Sequence, residues 1–267
     1  MALLDIQFES QTLARKQRVH VMLPDTDPPL ADGRYPALWL FHGRGEDGAI
    51  WLEHDCLPGL AARYDCALVM PTIAENTRYA DAVDGAANWT FISAELPRFL
   101  EGRLALTRDR AHRVAAGFSI GGLAAVKLGI ICGDRFSAVC SLAGALQLDY
   151  AELLAAAADN PARTQWLHRV YGPGPDFARP EDRLLDALAA RQRTGEPVAC
   201  LYLRCGRQDG SAYYNRRMTD ECRRRGLDLV YEERDGGHDR DYCGRELAEV
   251  FAALLGKAPP HATATTT

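Results

Sequence analysis

A mostly parallel β-sheet with helices on both faces is the fold class that the sequence predicts, on three observations. Five short segments are almost wholly apolar rather than alternating, which is how strands covered on both sides read. Stretches with helical spacing fall between them, and alternation of strand and helix is the signature of parallel crossovers. The chain has 267 residues, 47% hydrophobic and 25% charged, which fits one large globular domain and excludes a fibrous or wholly disordered chain.

Taken in order, Arg18 to Leu23 alternates as an early strand does, and Pro24 to Tyr35 is a Pro/Asp/Gly-rich turn region. Ala37-Leu38-Trp39-Leu40-Phe41 is a buried strand stopped by His42-Gly43-Arg44-Gly45, and Ala67 to Met70 is another, stopped by Pro71. Ser93 to Gly102 reads as a helix, with Ser93 and Glu95 in its first turn and Gly102 at its end. Arg113 to Ala116 is a third buried strand, and the helical stretch Ile120 to Ile130 follows its glycine turn. Ala138 to Leu142 and Val198 to Leu203 complete the set, with a short strand at Leu229 to Tyr231 and an amphipathic helix from Asp241 to Leu255. Residues 145–195 break the rhythm and read as an insertion over the sheet's C-terminal edge, so that 1–257 form one domain. The Ala/Thr/Pro tail 258–267 is expected to be disordered.

Charge and composition narrow the function classes. Lys+Arg is 31 against 36 for Asp+Glu, a net charge of -5, which gives no footprint for nucleic acid or an anionic membrane. The run Arg223-Arg224-Arg225 reads as one solvated helix face. No apolar run approaches the roughly eighteen residues of a membrane span. Met1 to Asp5 has no basic n-region, so no secretory signal is read and a cytoplasmic location is expected. The eight cysteines include no C-x-x-C pair, so neither zinc nor a dithiol redox site is suggested. Buried reduced thiols are expected, with no metal and no cofactor.

The informative segment is Gly117-Phe118-Ser119-Ile120-Gly121, a Gly-x-Ser-x-Gly between a strand and a helix. A nucleophilic serine needs a sharp turn that exposes its Oγ, and the flanking glycines remove Cβ atoms that would clash there. With six serines and 23 glycines in the chain, chance would give the pattern only about 0.04 times. Ser119 is therefore the expected nucleophile.

Serine is inert near neutral pH without a base. Of seven histidines, His20 sits in an early strand, His112 precedes the elbow strand, His168 lies in the insertion and His261 in the tail. His54 reads as a surface residue, and His42 as one that shapes the loop after its strand. His238, in Asp235-Gly236-Gly237-His238-Asp239, follows the last strand and precedes the last helix, which makes it the expected base. Asp209 lies beyond the strand at 198–203 and is the expected third member, ahead of Asp228 and Asp235. The order Ser, Asp, His is that of α/β-hydrolases. For the oxyanion, the backbone N–H of Ile120 is one expected donor. The second is assigned to the loop after Phe41, at Arg44, with Gly43 and Gly45 as competitors.

These segments carry a family resemblance. Leu40-Phe41-His42-Gly43, Glu95-Leu96-Pro97, Gly117-Phe118-Ser119-Ile120-Gly121-Gly122, Cys205-Gly206-Arg207-Gln208-Asp209 and Gly236-Gly237-His238-Asp239 make the chain similar to the esterase D branch of α/β-hydrolases. It resembles in particular the tributyrin esterase-like carboxylesterases, with S-formylglutathione hydrolases, some carbohydrate esterases and mycolyltransferases as relatives. The likeness runs from about Leu4 to Leu255. It implies the α/β-hydrolase fold and a cofactor-free serine hydrolase. The sequence departs from it in the loop Pro71 to Asp81, which keeps Tyr79-Ala80-Asp81 but lacks a glycine- and serine-rich form. It also lacks the Ser-Pro-Arg-type segment of S-formylglutathione hydrolases, and Arg240 stands where the family tends to place tryptophan.

The expected activity is a serine carboxylesterase acting on short-acyl esters. A thioesterase, a sugar deacetylase or an acyltransferase would use the same three residues, and the pocket that chooses among them is built from 71–91 and 145–195. Trp89 and Phe91 are candidates for its lining, against the plainer reading that both are core. A non-catalytic binding module would show a lost triad member, and none is missing. The expected partner is a small-molecule ester, with no nucleic acid or membrane, and self-association into a homo-oligomer stays open.

Overall fold

The computed structural model describes residues 1–227 and 229–256. Both Asp228 and the tail 258–267 with His261 lie outside the described residues. Strands β1 (Ala2–Ser10) and β2 (Arg15–Leu23) form a hairpin, followed by β3 (Ala37–Phe41), helix α1 (Leu57–Arg63) and β4 (Ala67–Pro71). Helical turns α2 (Asn88–Thr90) and α3 (Leu96–Glu101) flank a π-helical turn at Phe91–Glu95. Then come β5 (Arg113–Phe118), α4 (Ile120–Ile131), β6 (Ala138–Leu142), α5 (Tyr150–Ala155), α6 (Pro161–Tyr171) and α7 (Leu184–Thr194). The chain continues through β7 (Cys200–Gly206), α8 (Ala212–Arg224), β8 (Leu229–Arg234) and α9 (Arg240–Leu255).

The eight strands form one sheet in the order β1-β2-β4-β3-β5-β6-β7-β8. From β4 to β8 every neighbouring pair is parallel, and β1 and β2 are added antiparallel at one edge. This is the α/β-hydrolase arrangement, with helices on both faces as expected.

Strand periodicity divides the core. Trp39 and Phe41 of β3 face the side covered by α3, α4, α7 and α8, whereas Leu38 and Leu40 face α1 and α9. Every residue of β3, β4, β5 and β6 is buried, which explains why their sequences do not alternate. Helix α4 is buried on nearly all sides because the sheet lies under it and α7 over it.

Two expectations need correction, and one strand carries no clear mark in the sequence. The antiparallel strand β1 was not foreseen, because its Leu3, Asp5, Gln7 and Glu9 mix with apolar residues on a half-exposed edge. The helix expected to open at Ser93 is already under way at Asn88, so Glu95 is no first-turn residue. Its carboxylate reaches the β1–β2 turn instead, accepting from Ser10 Oγ at 2.6 Å and Gln11 N at 2.7 Å. The expected strand at 198–203 runs Cys200–Gly206, closer to Asp209.

Residues 145–195 carry the helices α5, α6 and α7. Leu184 and Leu188 of α7 belong to the main core, whereas Tyr150, Leu167, Tyr171 and Phe177 form a smaller apolar cluster with Ala80. Trp89 and Phe91 are also main core, so the plainer reading of that pair holds.

Candidate active site

Parallel strands put their carboxyl ends on one edge of the sheet, where crevices for ligands form. Ser119 follows β5, Asp209 follows β7 and His238 follows β8, so topology alone brings the three to that edge.

Ser119 sits at φ 58° and ψ -116°, a conformation that an L-residue avoids. The turn is over-determined by its surroundings: the Ser119 N–H donates to Leu142 O at 2.9 Å, and its carbonyl accepts from Leu123 N at 3.2 Å and Ala145 N at 3.0 Å. A Cβ on Gly117 would overlap the Gly121 carbonyl, and one on Gly121 would overlap the Phe41 carbonyl. The glycines of the motif are therefore required by close backbone approach, and the second contact places the start of α4 against the loop after β3.

His238 Nε2 lies 2.9 Å from Ser119 Oγ, and its Nδ1 lies 2.8 Å from Asp209 Oδ2. The tautomer that satisfies both has Nδ1–H donating to the carboxylate and Nε2 accepting the serine hydroxyl. The imidazole packs on Phe118, with ring centroids 4.8 Å apart. Asp209 is buried and its Oδ1 accepts the Ser211 N–H at 2.7 Å. Burial alone would raise this carboxyl, but the bonds from His238 and Ser211 outweigh it and hold its pKa below the usual value. The rival Asp235 is exposed and pairs with Arg207 at 3.0 Å, and Asp228 lies outside the described residues.

Around the loop after β3, the neutral imidazole of His42 is structural. It is buried, its Nδ1–H donates to Gly43 O at 2.8 Å, and its Nε2 accepts the Ile73 N–H at 3.3 Å. Burial lowers its pKa, only partly offset by the bond to the Gly43 carbonyl. The Gly43 N–H is used internally, donating to Glu46 Oε2 at 2.8 Å. Arg44 N–H has no acceptor among the described residues, like the first amides of α4, Ile120 included. Of the three amides weighed for the second oxyanion donor, Gly43 is thus removed.

Three residues near this edge escaped sequence reasoning. Glu46 holds Gly43. The fully buried Tyr79 donates its hydroxyl to the His42 carbonyl at 3.1 Å, bracing the same loop from the other side. Asn215 of α8 donates to the Gly144 carbonyl at 2.8 Å, next to the residue that anchors Ser119. Only Tyr79 had a signal, the Tyr-x-Asp of the family likeness. Cys205, buried near Asp209, has its thiol pushed up to about 11 by burial and so is no rival nucleophile.

Comparisons with known proteins bear on the family and the fold. An acetyl esterase of Caldicellulosiruptor saccharolyticus is 26% identical over 261 residues, 94% of this chain and 97% of the relative. Among solved structures, the fluorophosphonate-binding serine hydrolase F (FphF) of Staphylococcus aureus superposes with a TM-score of 0.83 at 20% identity, covering 95% of this chain and 98% of the other. An S-formylglutathione hydrolase (FrmB) from Staphylococcus aureus gives a TM-score of 0.80 at 20% identity, with the same coverage. These two structures speak for the fold. The Esterase family model matches residues 10–254, nearly the whole chain, and the chain therefore belongs to the Esterase family and is a carboxylic ester hydrolase on the α/β-hydrolase fold.

Proposed function

We propose that the chain is a serine carboxylesterase that hydrolyses short-acyl esters through an acyl-enzyme. The observation that carries this reading is the unbroken hydrogen-bonded series from Ser119 through His238 to Asp209 at the carboxyl edge of the sheet. Ser119 Oγ attacks the ester carbonyl as His238 Nε2 takes its proton, and Asp209 holds the ring and stabilises the imidazolium. Negative charge on the former carbonyl oxygen is met by the N–H groups of Ile120 and Arg44, the first at the positive end of α4. His238 then protonates the departing alcohol. Water, activated by the same imidazole, attacks the acyl-enzyme, and Ser119 recovers its proton as the acid leaves.

No metal or cofactor is needed for this sequence of steps. A cytoplasmic setting belongs to the same proposal and is supported by the cysteines, none of which is joined in a disulfide.

The test is Ser119→Ala with p-nitrophenyl acetate as substrate. The variant is expected to keep its thermal transition and lose turnover, and a fluorophosphonate probe is expected to add to Ser119 in the wild type by mass spectrometry. Turnover retained by Ser119→Ala would remove the mechanism.

A further inference from the structure

Arg78 is 6% exposed yet forms no ion pair among the described residues. Neutral acceptors hold two of its nitrogens: Nε–H donates to Tyr171 Oη at 2.9 Å, and Nη2–H donates to Ala145 O at 2.9 Å and Gln147 Oε1 at 2.7 Å. The Nη1 group has no acceptor among the described residues, and it is not among the sealed polar atoms, so it opens onto reachable space. A buried cation without a counter-charge is costly, and chains retain one where a ligand supplies the charge.

The small cavity beside Arg78 is also lined by Leu123, Lys127, Gln147, Tyr171 and Asp182. Asp182, its one lining carboxylate, is already committed to Lys127 at 2.6 Å. The cavity therefore carries one positive charge in excess, and Arg78 is where it resides.

That charge is two hydrogen bonds away from the backbone of Ser119. Ala145 takes an Arg78 N–H on its carbonyl and gives its own N–H to the Ser119 carbonyl at 3.0 Å. Arg78 and Tyr79 both have left-handed backbones, at φ 54° and 57°. Two successive strained residues persist only where the surroundings fix them, and such strain gathers at ligand sites. Further basic side chains converge from other elements. Arg44 comes from the loop after β3 and Arg163 from the first turn of α6, and the charges of Arg78 and Arg163, after burial, depress the Arg44 guanidinium. Neither Arg44 nor Arg163 pairs with a carboxylate among the described residues, in contrast to Arg204 with Glu246 and Arg216 with Glu233.

We propose that the substrate is an ester bearing a carboxylate group, which Arg78 binds through Nη1 while Arg44 and Arg163 attract it at the mouth of the site. This rests on the esterase reading above and adds the charge class of the substrate. Arg78 is a specificity-determining residue here, acting on the substrate's distal anion rather than on the reacting carbonyl.

Two matched pairs test it and separate the two sides of the ester. Mono-p-nitrophenyl glutarate against p-nitrophenyl valerate places the anion on the acyl side; 4-acetoxybenzoate against 4-methylphenyl acetate places it on the alcohol side. In one pair, wild-type kcat/KM is expected to favour the anionic ester by about 10- to 100-fold, the usual worth of a charge-assisted hydrogen bond. Arg78→Met is expected to bring that ratio near one. Arg163→Met, which cannot disturb the buried fork, is expected to lower the ratio several-fold, and added salt should lower it in the wild type. Preference for the neutral ester in both pairs, or a ratio that neither variant moves, would overturn the proposal. Calorimetric titration of Ser119→Ala with monomethyl glutarate and with 4-acetoxybenzoate reads the site without turnover. Tighter binding of either anion than of its neutral counterpart, weakened about tenfold by Arg163→Met, supports the anion site even if the esterase mechanism fails. Equal binding of anion and neutral counterpart in both pairs sinks the anion site even if neutral esters are hydrolysed.

Discussion

Glu46 Oε2 accepts the Gly43 N–H at 2.8 Å, while the other oxygen of the same carboxylate lies 3.5 Å from Arg240 Nε at the start of α9. One side chain thus ties the loop that offers Arg44 to the helix that follows His238. Removing the acceptor frees Gly43 to rotate and loosens the alignment of the neighbouring amide. Glu46→Ala is expected to lower kcat by about ten- to a hundred-fold with little change in KM, less than or comparable to deletion of a whole oxyanion donor. Glu46→Gln keeps an acceptor oxygen and should retain most activity in the same p-nitrophenyl acetate assay. Equal losses in both variants would assign the effect to the Arg240 pair instead.

The strain at Ser119 can be read independently of catalysis. Glycine accepts φ 58° and ψ -116° without a Cβ penalty, whereas alanine does not. Ser119→Gly is expected to be more stable than Ser119→Ala by about 1 kcal/mol, the released strain less the extra chain entropy of glycine. Thermal melts of the two inactive variants make the comparison, and a higher transition for Ser119→Ala would mean that the elbow is not strained.

For Asp209, the direction of the pKa shift fixes the pH dependence. Burial raises its pKa, but the bonds from His238 and Ser211 win and leave it below 3.8 in the folded state. A carboxyl depressed on folding adds stability above its unfolded value, and that stability is lost as pH falls through the folded value. The carboxylate is therefore ionised at any pH where the esterase is assayed, and its protonation does not set the acid limb of activity. Asp209→Asn should cost about 10⁴-fold in kcat through the wrong imidazole tautomer. Its stability deficit against the wild type should be constant above about pH 5 and shrink below pH 4. Denaturant titrations across that range check the sign.

What could be read ahead followed from two strong local constraints. Buried strands and the glycine-flanked elbow leave signatures within a few residues, so β3 to β8 and Ser119 were legible in order and place. His238 and Asp209 were legible because they follow strands, and a parallel sheet collects its strand ends on one edge. Glu46, Asn215 and the use of Gly43 were not, since each depends on which of several polar side chains finds which backbone N–H or carbonyl across 3 to 71 positions of chain. Likewise β1 was missed because an edge strand with one solvated face need not be apolar, and Glu95 because a long-range bond to the β1–β2 turn carries no local mark.

The buried pair Lys127–Asp182 supplies the last prediction. Both side chains are under a tenth exposed, at 2% and 8%, and Lys127 Nζ also lies 4.3 Å from the centre of the Trp89 ring. Burial raises the Asp182 pKa, and the attraction of Lys127 only partly offsets it. Lys127→Met removes that offset and leaves a buried carboxylate alone, at a cost of about 3–5 kcal/mol near neutral pH. A carboxyl raised on folding binds its proton more tightly in the native state, so the deficit should shrink as pH falls toward 4 and Asp182 is neutralised. Lys127→Met/Asp182→Leu should recover most of the loss, because no charge is then stranded in the apolar layer between α4 and α7. The double variant removes one cation and one anion together, so the single positive excess at Arg78 is unchanged. Its preference between anionic and neutral esters should therefore match the wild type even though two of the cavity's lining residues have been replaced.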